Sequence, residues 1–195
     1  NFQDDKIYHF AQRLFYCYLN MEEVSGSLLS YAGEFEGVAR KKWIGTKMLS
    51  YRLLREQNLL LGELRFPERK EIGIRVEDGG WHFGYMGSSR EEDVSKRIGT
   101  KVVAAAHQEY NNQDILAEAR DRLILGQDMF GRDAVFRRVE VDESYPEYLL
   151  AHIEDYRYLI MPPVSGIRRF YTLVSMKARR FCRKAARKIR RMIKG

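Results

Sequence analysis

The side chains best suited to proton transfer, metal ligation or nucleophilic attack are four histidines, His9, His82, His107 and His152, and two cysteines, Cys17 and Cys182. No His-x-x-x-His pair exists, and no Ser-His-Asp or Cys-His order can be argued, so zincin and triad chemistries find no support. Two cysteines are too few for a disulfide scaffold or a Cys-built zinc site, and they fit a reducing compartment. His82 stands in Gly79-Gly80-Trp81-His82-Phe83-Gly84-Tyr85. A stacking Trp beside an imidazole, on backbone with room for a ligand, suits a sugar or nucleotide pocket. The plainer reading is a turn whose Trp81 and Phe83 belong to the core. His107-Gln108-Glu109-Tyr110-Asn111-Asn112 gathers polar groups that a core would not accept, either as a ligand site or as a solvated helix end. Lys47 in Gly45-Thr46-Lys47 and Arg132 in Phe130-Gly131-Arg132-Asp133 are cations beside glycines, as anion sites often are, without a Walker or dinucleotide motif.

The elements that must hold these residues read as mixed α/β. Ile7 to Leu19, rich in aromatic and β-favouring residues, predicts a buried strand or bent strand pair. Residues 20–42 read as loop with a short helical turn, Trp43 to Tyr51 as extended, Leu53 to Leu64 as ambiguous, and Ile72 to Val76 as a strand ending at Gly79-Gly80. Ser89 with Glu92 suggests a capping box ahead of Val94, Ile98, Val102 and Ala105 on one helical face. Asn112 or Asp114 predicts the cap of a second helix, stopped by Gly126. Val135 to Val141 reads as a strand, and Ser144-Tyr145-Pro146-Glu147 as the start of a helix reaching about Tyr158.

Charge divides the chain. Residues 166–195 carry 12 Lys and Arg and no acid, which leaves 22 basic against 27 acidic residues in 1–165. The net charge of +7 is therefore an acidic body joined to a cationic tail. In that tail Ile167, Phe170, Tyr171, Val174, Ala178, Phe181, Cys182, Ala185, Ile189 and Met192 make one apolar helical stripe. Phe170, Phe181 and Ile189, with Arg179, Arg180, Arg183, Lys184, Arg187, Lys188, Arg190 and Arg191, are the expected membrane contacts. The stripe favours an anionic membrane over nucleic acid, which needs charge but no apolar face. The longest apolar run, Leu14 to Leu19, is far short of a transmembrane span. The opening Asn1-Phe2-Gln3-Asp4-Asp5 lacks the features of a signal peptide, and the missing initiator Met leads us to expect sequence upstream.

Six segments follow one another in a familiar order: Tyr16-Cys17-Tyr18-Leu19-Asn20, Trp43-Ile44-Gly45-Thr46-Lys47, Gly80 to Gly87, His107 to Asn111, Gly126 to Arg132, and Tyr145-Pro146-Glu147-Tyr148-Leu149. Over residues 7 to 160 the chain resembles glycosyltransferase family 17, the β-1,4-mannosyl-glycoprotein β-1,4-N-acetylglucosaminyltransferases and their bacterial relatives. The family's Asp-x-Asp-Glu metal motif is absent from these 195 residues. The resemblance thus implies the C-terminal, acceptor-side half of a glycosyltransferase-A fold in 1–163, a mixed sheet with helices. The tail lies outside it, and its own apolar stripe predicts a basic amphipathic helix in 164–195.

The resemblance further implies an inverting transfer, with N-acetylglucosamine as family precedent, from a nucleotide-diphosphate sugar to a glycan or glycolipid acceptor. A divalent metal ion, Mn2+ or Mg2+, would assist, its main ligands lying outside this chain. On that reading His82 sits near the diphosphate or its metal, Trp81 stacks on a sugar, and Lys47 and Arg132 contact phosphate. Asn20 and His107 are further substrate contacts, Glu109 is the first choice of general base and Asp128 the second. The expected setting is cytoplasmic, peripheral at the inner face of the membrane. The rival expectation is a catalytically inactive binding module whose basic tail holds a membrane or nucleic acid.

Overall fold

The computed structural model describes residues 2–26, 42–62, 64, 73–87, 93–104 and 108–194. The chain divides into two compact units, each built from two separate stretches: residues 1–86 with 133–161, and residues 87–132 with 162–195. The cationic tail thus groups with residues 87–132 rather than forming a unit of its own.

The first unit contains the strands. β1 (Ile7–Phe10) and β2 (Arg13–Tyr16) are the expected bent pair, separated by Ala11 and Gln12. β5 (Gly73–Val76) and β6 (Trp81–Gly84) repeat the arrangement alongside, β5 parallel to β1 and β6 parallel to β2. The two ribbons bend together and are tied at the bend, with Ala11 N donating to Val76 O and Gly79 N to Ala11 O, both at 2.9 Å. A side chain at Gly79 would come within 2.7 Å of Phe10 Cβ, so only glycine allows this approach.

One sheet then runs β4-β1-β5, with β4 (Lys47–Met48) antiparallel to β1. The other runs β6-β2-β3-β7, completed by β3 (Met21–Gly26) and β7 (Ala134–Arg138). β3 corrects the loop expected from residue 20. Its acidic Glu22 and Glu23 disguise a strand whose backbone pairs with β2 and β7, Glu22 meeting Arg13 across the sheet and Glu23 lying buried. The remainder of that expected loop, 27–41, lies outside the described residues, as do Ser89, Glu92, Ala105 and His107.

α1 (Tyr51–Glu56) resolves the ambiguous Leu-rich stretch, capped by Ser50, whose hydroxyl accepts from Leu53 N at 3.0 Å. α4 (Glu147–Ala151) begins as expected but gives way to a 3-10 segment over Ile153–Leu159. Its expected cap, Ser144, is instead engaged by Asp142 and Arg13. Phe15, Leu19, Tyr145, Leu149 and Leu159 form the buried centre, with Trp81 and Phe83 packed against it. Each such side chain contributes about 1.5–3 kcal/mol when fully buried.

The second unit is helical among its described residues. α2 (Val94–Ala104) buries Val94, Ile98 and Val102, the expected face, and Asp93 caps it by accepting from Ser95 N and Lys96 N. α3 (Gln113–Ile124) is capped by Asn112, whose side chain accepts from Asp114 N at 2.8 Å. Gly126, with φ of 73°, follows its end. α5 (Gly166–Lys194) is the tail, a continuous helix packed on α3.

Candidate functional site

In the first unit the Trp43–Lys47 and Gly79–Tyr85 segments meet. Trp43 exchanges backbone hydrogen bonds with Gln12, at 2.8 and 3.0 Å. Its indole lies 5.2 Å from the imidazole of His82, tilted by 39°. A Cβ on Gly45 would fall 2.1 Å from Trp43 Nε1, so the motif glycine is the floor under that indole. Thr46 donates its hydroxyl to Gln12 Oε1 at 2.9 Å. Lys47 Nζ donates to Ile44 O at 3.1 Å, and burial holds its pKa below the ordinary lysine value. Across from it on β1, His9 is buried, and burial first and the Lys47 charge second push its pKa down to about 4. Trp81 and His82 alternate along β6, Trp81 packing against the aromatic core and His82 against Trp43.

The parallel pair β2 and β6 ends in strained backbone. Cys17 and Tyr85, the residues next after the two strands, both adopt left-handed φ, 63° and 62°. Such conformations cost about 1–3 kcal/mol each and collect at functional sites. The carboxyl ends of parallel strands are also where open α/β sheets bind ligands. Asn20, three residues on, is fully buried and grips one residue twice, accepting from Met161 N at 2.8 Å and donating to Met161 O at 3.0 Å.

A cleft of 820 Å³ lies elsewhere in the same unit, lined among others by Arg13, Glu22, Lys42, Asp78 and Arg137. Arg13 makes two 2.9 Å bonds to Glu22 and a 2.7 Å bond to Ser144 Oγ. Lys42 pairs with Asp78 at 2.7 Å. The sequence hides this cleft because residues 20–42 read as loop, which leaves Glu22 with no strand partner. The signal was that Arg13 and Glu22 fall on one face of paired strands.

In the second unit the Gly126–Arg132 segment is a turn built on Asp128. Its carboxylate, fully buried, accepts from Phe130 N, Arg132 N and Arg132 Nε through one oxygen and from Arg132 Nη2 through the other. Both oxygens are thus occupied by their own loop, the work of a turn-forming carboxylate. Arg132 lies over the stacked rings of Tyr110 and Phe130, 5.5 and 5.1 Å from their centroids. Glu109 is exposed on the 3-10 turn Gln108–Tyr110 that supplies this platform.

The residues singled out from sequence therefore fall into two sets. Trp81, His82, Lys47 and Asn20 belong to the first unit; Glu109, Asp128, Arg132 and the α5 residues belong to the second. Among the described residues no three His, Cys, Asp or Glu side chains gather as a metal site. His82 brings one imidazole against Trp43 and does not by itself make a metal site.

Comparison with family models, with curated proteins and with solved structures finds no match for this chain.

Proposed function

We propose that this chain is the acceptor-side part of an inverting glycosyltransferase of the family-17 kind, using a nucleoside-diphosphate sugar and a glycan or glycolipid acceptor. One observation carries the reading: the ordered segments become neighbours within their units. Trp43 packs against His82, Tyr145 donates its hydroxyl to Leu19 O at 2.9 Å, and Tyr110 stacks on Phe130 beneath Arg132. Half-buried Trp81 leaves ring surface for a sugar, and the 820 Å³ cleft has the polar lining that a glycan needs. Lys47 has no carboxylate partner among the described residues and is available to a phosphate.

In the transfer, Glu109 takes the proton of an acceptor hydroxyl. The hydroxyl oxygen attacks the anomeric carbon from the side opposite the diphosphate. The bond to the leaving oxygen breaks, its electron pair departs with the diphosphate, and the configuration inverts.

The alternative is a glycan-binding module without turnover, for which the polar-lined cleft beside Arg13 speaks. Two measurements separate these readings. Glycan-array binding should be weakened by Arg13→Ala. Product formation by the full-length protein of which this chain is the acceptor-side part, followed by mass spectrometry with a panel of sugar nucleotides and Mn2+, should fall about 10²–10⁴-fold in Glu109→Gln. Binding without product supports the module, and neither binding nor product rejects both.

A further inference from the structure

The cationic helix is docked the opposite way round from an ordinary amphipathic helix. Met176, Arg180, Arg183 and Arg187 recur at steps of four, three and four, which puts them on one face of α5. That face meets α3. Met176 is buried, and Arg180 donates to Glu118 Oε2 at 2.7 Å through Nη2 and at 3.0 Å through Nε. Arg183 binds Glu118 as well, Arg187 binds Asp114, and Arg179 binds Asp121. Four of the cations expected at a membrane are thus fasteners to α3 carboxylates.

The apolar stripe points away. Phe181 lies two residues from Arg183, about 200° around the helix. Ile167, Phe170, Tyr171, Phe181 and Met192 are 71, 63, 67, 74 and 65% exposed. Lys177, Lys184 and Lys188 run along one flank of the stripe, exposed and without carboxylate partners among the described residues. Among the described residues no helix is long and apolar enough to cross a membrane.

We propose that α5, while fastened to α3 by its arginines, lays this outward stripe into the surface of an anionic lipid bilayer. The lysines beside it would meet the phosphate and carboxylate headgroups. Charge complementarity selects this occupant. A second copy of α5 would bring another 12 cations and no acid against the first. Nucleic acid would satisfy the lysines and leave the aromatic and aliphatic side chains in water. The inference is independent of the sugar chemistry.

The test uses the full chain with vesicles of phosphatidylcholine alone or with one-third phosphatidylserine, at physiological salt. Co-sedimentation is expected with the anionic vesicles only. Phe181→Asp should weaken it about tenfold or more, and Lys184→Glu with Lys188→Glu about twentyfold or more. Both sites are exposed, and unchanged melting temperatures check the fold. A Phe181→Trp variant should shift its emission to the blue on binding and be quenched by brominated lipid. Equal binding to neutral vesicles, binding unaffected by Phe181→Asp, or no binding overturns the proposal. So does a concentration-dependent dimer lost in Phe181→Asp, or a preference for nucleic acid over anionic vesicles.

Discussion

Asn20 and His9 set the residue-scale expectations. Both are buried polar side chains, and burial leaves a polar group only two outcomes: it is satisfied by partners or it gives up its charge. Asn20 is satisfied by both backbone groups of Met161. Asn20→Ala would orphan a buried N–H and a buried C=O, at about 2–4 kcal/mol, read as a lowered urea midpoint. A change below about 0.5 kcal/mol would mean that water replaces the amide. His9 gives up its charge. Its folded pKa of about 4 lies below the ordinary 6.5, so the unfolded chain binds the proton first as pH falls. Stability is complete above about pH 6.5 and declines as pH falls toward 4, by about 2–3 kcal/mol. The urea midpoint should therefore drop between pH 7 and pH 4.5, and His9→Gln should flatten the dependence. His82 and Lys47 were legible as candidates from their glycine and aromatic neighbours. The double grip of Asn20 was not, because its partner lies 141 residues away.

At the scale of elements, the α3–α5 contact turns on Glu118, whose side chain is 4% exposed and bonded by Arg122, Arg180 and Arg183. Hydrogen bonding from Arg180 first, with the Arg180 and Arg122 charges, pulls its pKa down to about 2 against the opposing effect of burial. This depressed carboxylate stabilises the unit above its ordinary 4.5, and the contribution is lost as pH falls through about 2. Glu118→Gln should cost about 1–3 kcal/mol, less than a fully buried pair because the arginines are partly solvated. Hydrogen exchange should then quicken in Gly166–Lys194 and leave β1 and β2 unchanged. Uniform acceleration, or none, would show that α5 is held by something other than these pairs.

For the whole molecule, the division into two units gives two separate optical reporters. Trp43 and Trp81 both lie in the first unit, whereas α2, α3 and α5 supply helix signal from the second. Urea unfolding followed by tryptophan fluorescence and by ellipticity at 222 nm should give different midpoints. Coincident curves would mean one cooperative body.

The sequence alone determined the elements with a strong local signal: the bent strand pair, the helix after residue 93, the helix capped at Asn112, and the long cationic helix. Period, caps and charge are properties of neighbouring residues, so no tertiary information was needed. It also set out the chemistry-bearing segments and their order. Only tertiary structure decided what faces what. It made a strand of Met21–Gly26, whose glutamates read as loop until β2 and β7 pair with it. It assigned Asp128 to its own turn and divided the molecule by packing rather than by composition. It turned the arginines of α5 inward and the phenylalanines outward. Periodicity shows that a helix has two faces, but which one is covered depends on the partner. Here the partner is α3, whose Glu118 binds guanidinium groups and whose place beside α5 the sequence does not show.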